Sequence, residues 1–409
     1  SSRSTLLRKL SSKSLQNVVC VSTLDVRACK LLLRMNLPYL VRRIVHRLRG
    51  RVVHLKPKVT PRGNVLISFT TLHYLDTRPV TLRSHATREQ CAQMAQTFLE
   101  RGYNVDVIDN NDSSFLPKKK YDYFIDATGR NMDRLSPFLD GCKKIFFIDT
   151  CHWKYQNSVE QKRIHAIQEK RGVAMGGVRT LPESHAIELC DIAVTMAGDF
   201  AVSTYAYAGK KIVRIPAATT FEFPSPEKKD FDAVRRNFIW FGGAGLALKQ
   251  LDLVLEAFAH MPEYHLTVCG KVNADDPFAK AYEQELYRTK NITTIGWIDP
   301  GGDKFKRICA ESLGIVYPSI SEGCAGSVIL CMNAGLIPIV SRESGVTTGN
   351  FGFTLPQNST EDITEHVRKL SALSIEELRS RAMSTWQYAR EHHSRDKFAK
   401  AFADFVDSL

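Results

Sequence analysis

The sequence lacks any apolar run of the roughly 18 uninterrupted residues that indicate a membrane-spanning helix. The best candidate, residues 328–340, is interrupted by Asn333, Gly335 and Pro338. The ten cysteines include no C-x-x-C pair. This absence argues against a zinc ribbon and against a disulfide-rich secreted domain, and it favours a reducing, cytoplasmic compartment.

Most of the chain also lacks an excess of either charge. The protein has 409 residues and a formal net charge of +13. Residues 1–58 contain fourteen Lys or Arg and one acid, Asp25, whereas the remaining 351 residues contain 42 basic and 42 acidic side chains. A generally basic surface that coats nucleic acid is therefore not expected. The sequence instead predicts a neutral body of two or three domains with a basic N-terminal extension.

Residues 37–51 of this extension have the pattern of a basic amphipathic helix. One face is apolar and consists of Leu37, Leu40, Val41, Ile44, Val45 and Leu48. Arginines occupy much of the remaining surface. Such a helix can lie on an anionic membrane, and it can equally pack its apolar face on the main body. The Ser- and Arg-rich start also has the composition of a transit peptide. Binding to RNA or DNA has less support, because Tyr39 is the only aromatic residue there that could stack on a base.

From residue 64 the chain alternates between short apolar runs and helical stretches, which is typical of parallel sheets covered on both faces. Eleven strands are predicted, at 64–69, 103–108, 121–126, 144–149, 192–196, 211–215, 238–241, 265–269, 292–295, 314–317 and 337–341. The proline-rich, polar segment 216–237 interrupts this pattern and indicates an interdomain linker. We therefore expect a Rossmann-like N-terminal domain over 59–225 and a Rossmann-like C-terminal domain over 226–390. A final helix within 391–409 is expected to pack back on the N-terminal domain.

The segment 317–335, YPSISEGCAGSVILCMNAG, carries the most information about chemistry. A predicted strand ends at Tyr317, and a loop rich in Gly and Ser with one acid, Glu322, leads into a predicted helix. Gly323 and Gly326 allow close backbone approach, and the start of the helix presents free N–H groups to a phosphate or a sugar oxygen. The Glu322 carboxylate can accept hydrogen bonds from sugar hydroxyls. By themselves the residues are explained equally well by an ordinary strand–loop–helix connection.

This segment resembles the donor-site signature of retaining GT-B glycosyltransferases, particularly family 4, which belongs to glycosyltransferase group 1. The run 321–323 (S-E-G) matches the start of that family's Glu-x7-Glu motif, and 332–335 matches its end. Residues 241–252 resemble V-G-R-x-x-x-x-K-G-x-D, 266–270 resemble the L-x-I-V-G strand, and 292–297 resemble the segment that lines the base pocket. The first half of the chain resembles the family more weakly, at 101–107 and at 147–153.

The resemblance implies a GT-B fold, in which two doubly wound domains face a cleft, and transfer of a sugar from a nucleotide sugar with retention of configuration. Glu322 would orient the donor sugar, Lys249 would stabilise the departing diphosphate, and His152 would lie on the catalytic side. The implied donor-binding residues are Gly243, Gly245, Lys249, Gly270, Trp297, Ser321, Glu322, Gly323, Cys324, Ala325, Gly326, Ser327 and Leu330. No metal or other cofactor is expected, because side chains and helix ends can neutralise the phosphates.

Two positions depart from the family pattern. Leu330 replaces the second Glu of the motif, which holds the donor ribose, and Ala244 replaces the diphosphate-binding Arg. A lost ribose contact costs about 1–3 kcal/mol, and a lost guanidinium–phosphate pair costs at least as much. The departures are compatible with an active enzyme of altered donor recognition, and also with a catalytically silent protein that binds a glycan, nucleotide or protein partner. A sugar-nucleotide epimerase is a second alternative. The basic extension favours peripheral membrane contact, and hence a glycan or lipid-linked acceptor.

Overall fold

The computed structural model describes residues 52–75 and 86–409. The amphipathic pattern over 37–51 lies outside these residues, so the membrane-binding helix stays a prediction. Residues from 52 onward belong to one compact unit that is built on two sheets. Within the described ranges, no helix combines the length and the apolar character that crossing a bilayer requires.

The first sheet belongs to the N-terminal half of this unit. Its seven strands are β1 Val52–Leu55, β2 Gly63–Phe69, β3 Tyr103–Asp109, β4 Tyr123–Ala127, β5 Lys143–Ile148, β6 Ile192–Thr195 and β7 Ile212–Arg214. Their order is β1-β3-β2-β4-β5-β6-β7, and all neighbours are parallel except β1 and β3. Consecutive residues of β2, Leu66 and Ile67, are both fully buried but belong to different hydrophobic clusters. Both faces of the sheet are therefore covered, as expected for parallel strands.

The strand β1 lies in the segment that the sequence analysis assigns to the basic extension. It pairs with β3 so that Val53 lies opposite Val107, and Nδ1 of His54 is 2.7 Å from Oδ1 of Asp106. Four residues with basic neighbours are too few to show a strand period in sequence. The pairing partners, which are distant along the chain, supply the stabilisation that the local sequence does not. The sheet consequently begins at Val52, before the boundary expected at residue 58.

The described helices of this half cover both faces of the sheet. They are α1 Leu72–Leu75, α2 Ala86–Glu100, α3 Met132–Leu135, α4 Trp153–Arg171, α5 Ala186–Leu189 and α6 Asp199–Ser203. The longest of them, α4, begins after His152, whose ring accepts the backbone N–H of Lys154 as an N-cap. It ends at Gly172, which has a left-handed φ of 67° that glycine adopts without strain.

The second sheet belongs to the C-terminal half and is parallel throughout. Its six strands are β8 Asn237–Gly242, β9 His265–Gly270, β10 Ile292–Gly296, β11 Gly314–Tyr317, β12 Ile337–Ser341 and β13 Phe353–Leu355. Their order is β10-β9-β8-β11-β12-β13. The edge strand β13 was not predicted, because its three residues form no recognisable pattern.

The helices of the C-terminal half complete a doubly wound arrangement. They are α7 Phe231–Val234, α8 Leu251–Ala259, α9 Pro277–Ala281, α10 Glu283–Tyr287, α11 Asp303–Ala310, α12 Gly326–Asn333, α13 Thr360–Ser371 and α14 Ile375–His392, and they are followed by the last helix of the chain, α15 Arg395–Asp407. Serine side chains at 359, 374 and 394 cap the N-termini of the last three.

The last helix, α15, returns to the N-terminal half. Phe398, Phe402 and Phe405 belong to the hydrophobic cluster of the first sheet, and the Phe402 ring lies 6.3 Å from that of Phe98 in α2. Nε of Arg101 donates a hydrogen bond of 2.6 Å to the Asp407 carboxylate at the end of α15. The C-terminal end of the protein is thus packed on the N-terminal half.

The helix α4 joins the two halves. It follows the first sheet in sequence, yet Ile164 and Ile167 belong to the hydrophobic core of the C-terminal half. Arg163 forms an ion pair with the fully buried Asp252 in α8. Arg171, at the other end of the helix, lies 2.7 Å from the carboxylate of Glu285. A helix expected to belong only to the N-terminal domain therefore packs along the C-terminal one.

Candidate active site

Two loops at the carboxyl edge of the second sheet hold the candidate catalytic residues. One loop follows β8 and leads to Lys249, and the other follows β11 and carries Glu322. Because β8 and β11 are adjacent and parallel, the loops that leave their carboxyl ends meet. Nζ of Lys249 contacts Oε1 of Glu322, although the two residues are 73 positions apart in sequence.

The ion pair between Lys249 and Glu322 is largely buried, with side-chain exposures of 7% and 15%. Burial lowers the pKa of Lys249, although Glu322 acts in the opposite direction. Burial alone would raise the pKa of Glu322, but the positive charges of Lys249 and Arg179 outweigh it and hold this pKa below its usual value. Tyr317, at the end of β11, donates a hydrogen bond of 2.8 Å to the same carboxylate oxygen. The carboxyl group is thus held in its ionised form.

The glycines near this pair have different roles. A Cβ atom on Gly243 or Gly326 would meet no atom within 4 Å, so both glycines border open space that a ligand can enter. A Cβ atom on Gly323 would lie 2.2 Å from the carbonyl oxygen of Asp149, in the N-terminal half. One on Gly270 would lie 2.7 Å from a backbone oxygen at the end of β8. Close backbone packing therefore requires glycine at positions 270 and 323.

The loop that carries Glu322 also forms the contact between the two halves. The hydroxyl of Ser321 is buried and donates a hydrogen bond of 3.1 Å to Oε1 of Gln156 in α4. The carbonyl oxygen of Gly323 accepts the N–H of Gly198 at 2.9 Å. Ser321 and Gly323, both expected to bind the donor, fix the position of Glu322 against the N-terminal half.

Helix α12 begins four residues after Glu322 and has no side-chain cap. Its N-cap residue, Ala325, offers no side-chain oxygen, and its own N–H donates to the carbonyl oxygen of Ser344 at 2.9 Å. In the described part of the chain, the backbone N–H groups of Gly326 and Ser327 have no acceptor. The partial positive charge of this helix end is thus available to an anion. Cys324 is no nucleophile here, because burial raises the pKa of its thiol to about 12.

Leu330 and Trp297, two further expected donor-binding residues, differ in their surroundings. Leu330 is buried in the hydrophobic core of the C-terminal half. Its apolar side chain cannot make the hydrogen bond to a ribose that the glutamate of the resembled motif makes at this position. Trp297 follows β10 directly and is 62% exposed. Core packing does not account for so exposed an indole ring, whose apolar face is suited to stacking on a nucleobase.

His152 has a structural role at the start of α4. Its Nδ1 accepts the N–H of Lys154, so the neutral ring carries its proton on Nε2, which lies 3.1 Å from the hydroxyl of Tyr207. Tyr207 in turn donates to the Glu188 carboxylate at 2.6 Å. Burial lowers the pKa of His152, which keeps the ring neutral. The ring lines a small cavity with Asp149, but both of its nitrogens are already engaged.

Four residues near the site were not predicted from the sequence. They are Asp149, Gln156, Arg179 and Tyr317. Asp149 and Tyr317 close strands of parallel sheets, and this position could have identified them, because ligands bind beyond the carboxyl ends of such strands. Burial raises the pKa of Asp149 to about 6, while Arg179 acts in the opposite direction. Gln156 and Arg179 lie on a helix and a loop that carry no motif, so only the tertiary structure reveals them.

Comparison with protein families matches the C-terminal half of the chain, and comparison with solved structures matches both halves. Residues 235–372, which include Lys249 and Glu322, match the family model described as glycosyl transferases group 1. No curated protein sequence matches the chain. Among solved structures, the chain is similar to sucrose-phosphate synthase from Thermosynechococcus elongatus, with a TM-score of 0.61 and 12% identity over 86% of this chain and 99% of that chain.

Two further solved structures are similar over nearly the same range. HepE from Anabaena, solved in complex with UDP and glucose, has a TM-score of 0.55 and 12% identity, covering 85% of this chain and 100% of that chain. WaaG, a glycosyltransferase involved in lipopolysaccharide biosynthesis, has a TM-score of 0.51 and 15% identity over the same shares. These similarities confirm the predicted GT-B fold.

Proposed function

We propose that the chain is a hexosyltransferase that moves a sugar from a nucleoside-diphosphate sugar to an acceptor, with retention of configuration and without a metal ion. The observation that carries this proposal is the buried pair of Lys249 and Glu322 between an open glycine loop and the uncapped start of α12. The family match supports it, because residues 235–372 include both loops. The UDP in the HepE structure supports a nucleoside diphosphate as the ligand class.

In the proposed mechanism, the C-terminal half binds the donor and stabilises the charge that develops on the departing diphosphate. The backbone N–H groups of Gly326 and Ser327 offer hydrogen bonds to phosphate oxygens. Lys249, whose ammonium group is buried against Glu322, supplies a positive charge. Glu322, held by Tyr317 and Lys249, accepts hydrogen bonds from sugar hydroxyls and so orients the anomeric carbon. The acceptor approaches from the N-terminal half across the cleft.

Turnover of a donor panel tests this proposal. UDP-, GDP- and ADP-hexoses are incubated with the full chain in the presence of EDTA, and the anomeric proton of the released sugar is followed by NMR. We expect slow hydrolysis of one donor with its configuration retained. Glu322→Gln and Lys249→Met should each reduce the rate by about 100-fold or more. Arg288→Ala is the control for Lys249→Met, because it also removes one positive charge. Arg288 precedes β10, at the amino edge of the sheet and away from the site, and pairs with Glu283 on the surface. Release of the inverted sugar would contradict retention, and loss of turnover in EDTA would contradict metal independence.

A catalytically silent donor-site protein is the second candidate, and Leu330 and Ala244 are the observations that favour it. Calorimetry of the same nucleotide sugars distinguishes the two: binding without turnover would identify the silent protein. Conversion of the donor sugar into its epimer without an acceptor would identify an epimerase instead. No heat with any nucleotide or nucleotide sugar would leave only binding of a glycan or a protein.

The acceptor is proposed to be a glycan or a lipid-linked sugar at the cytoplasmic surface of a membrane, reached through residues 37–51. The cysteines of the described ranges are free thiols, as a reducing compartment requires. Flotation with anionic liposomes tests the membrane contact. The full chain should float, and a variant with Arg42, Arg43, Arg47 and Arg49 changed to Gln should remain unbound, because each cation near such a surface contributes about 1 kcal/mol. Equal flotation of both proteins would contradict this contact.

A further inference from the structure

Arg179 reaches from the N-terminal half to the glycine loop of the donor site. It lies on the segment between α4 and α5, outside the range of the family match. Its Cγ and Cδ atoms lie 2.4 and 3.2 Å from the position that a Cβ atom would occupy on Gly245. The arginine stem therefore rests directly on Gly245, where only a hydrogen atom leaves room for it.

The backbone at Arg179 is fixed by two buried side chains of α4. The carboxylate of Glu160, 1% exposed, accepts the N–H groups of Val178 and Arg179 at 3.0 and 2.8 Å and the hydroxyl of Thr180 at 3.1 Å. The amide of Gln156 donates to the carbonyl oxygen of Arg179 at 2.6 Å. Since α4 is itself attached to the C-terminal half, the arginine is presented to the cleft from a rigid base rather than from a loose loop.

The guanidinium of Arg179 has no ion pair within 4 Å among the described residues, and the residue is exposed. Its positive charge lowers the pKa of Glu322, of Lys249 and of Asp149, in agreement with the contact between its stem and Gly245. A cation that lies at a cleft edge without a paired acid is available to an anionic ligand.

The charge balance of the site indicates which ligand this is. Lys249 is already paired with Glu322, so the two side chains together contribute no net charge, and Ala244 contributes none. A nucleoside diphosphate would bring negative charge to this site, and Arg179 is a cation on the glycine loop that no acid within 4 Å neutralises among the described residues. We propose that Arg179 binds the donor diphosphate across the cleft and supplies the positive charge that Lys249 alone does not. This inference rests on the proposed function and names a residue of the N-terminal half as part of its donor site.

Binding of nucleotides to the full-length protein tests the inference. UDP, GDP and ADP are titrated by calorimetry, and the diphosphate that binds best is compared with its nucleoside. We expect Arg179→Ala to weaken the diphosphate by about 10- to 100-fold, as the loss of a charge-assisted contact does, and to leave the nucleoside unchanged. Arg179→Lys, which keeps the charge but loses the planar fork, should show a smaller loss. Arg288→Ala, which removes the same charge from the opposite sheet edge, should bind as the wild type does.

The outcomes separate this inference from the function on which it rests. If the wild type binds a diphosphate and Arg179→Ala binds it equally well, Arg179 is not part of the site, while the proposed function stands. An equal loss for the diphosphate and its nucleoside would also overturn the inference, because a misfolded cleft rather than a lost charge would explain it. If the wild type binds no nucleoside diphosphate, the proposed function and this inference both fail.

Discussion

Replacing Gly323 with alanine is expected to force the two halves of the chain apart. The added Cβ atom would lie 2.2 Å from O and 2.7 Å from C of Asp149, and 3.2 Å from N of Thr150. All three are backbone atoms, so no side-chain rotation relieves the contact. The carbonyl oxygen of Gly323 is held at the same time by the N–H of Gly198. The loop and the end of β5 must therefore separate by about 1 Å to reach an ordinary contact distance.

Overpacking of this kind costs about 1–3 kcal/mol, which corresponds to a factor of roughly 5–150 in the equilibrium between the closed and separated arrangements. We expect Gly323→Ala to lower the melting temperature by about 1–4 °C and to increase the radius of gyration measured by small-angle X-ray scattering.

Gly326→Ala provides a matched control for stability. It makes the same change three residues further on, where a Cβ atom meets nothing within 4 Å, and alanine is the better residue in the first turn of α12. Its melting temperature should equal or exceed that of the wild type. A wild-type melting temperature and an unchanged radius of gyration for Gly323→Ala would refute the steric clash between Gly323 and Asp149.

Two further predictions concern buried charges. Lys249→Met should lower the free energy of unfolding, measured by urea denaturation, by about 3–5 kcal/mol, because it leaves the Glu322 carboxylate buried without its cation. Adding Glu322→Gln should recover part of this loss. If the losses of the two single variants were additive in the double variant, the pairing would be contradicted. Burial raises the pKa of Asp126 to about 7, above its value in the unfolded chain, so its ionisation destabilises the fold progressively as pH rises from about 4 to 7. Asp126→Asn removes this effect, and the stability difference between variant and wild type should shift in favour of the variant by up to about 1.4 kcal/mol per pH unit in that range. A difference independent of pH would show that Asp126 is ionised throughout.

Most strands were predictable from the sequence, and two short edge strands were not. All eleven predicted strands are present, because a short apolar run is itself the signal of a buried parallel strand. The two strands that were missed, Val52–Leu55 and Phe353–Leu355, are edge strands of four and three residues. Their stabilisation comes from hydrogen bonding to a neighbour that is distant in sequence, so a local pattern contains little of it.

Some roles of the candidate-site residues were predictable from the sequence, and others depend on the tertiary structure. Lys249 and Glu322 were found because the runs 241–252 and 321–323 resemble motifs of a known family; the residue types alone are explained equally well by an ordinary strand–loop–helix connection. Ser321 and Gly323 belong to the run of Glu322, and Gly270 belongs to the run 266–270. In the structure the Ser321 hydroxyl bonds the Gln156 side chain, and the two glycines allow close contacts between backbones.

By itself, the sequence determined two parallel α/β halves, a glycine-flanked carboxylate and lysine after two of the strands, and the confinement of the excess positive charge to the first 58 residues. These properties depend on periodicity, residue type and composition, which are local. Only the tertiary structure decided that α4 joins the two halves, that Gly323 is an interdomain contact, and that Arg179 faces a lysine already paired with Glu322. The reason is physical: charge balance and close packing depend on distances between segments far apart in the chain, and these distances exist only after both sheets have formed and packed.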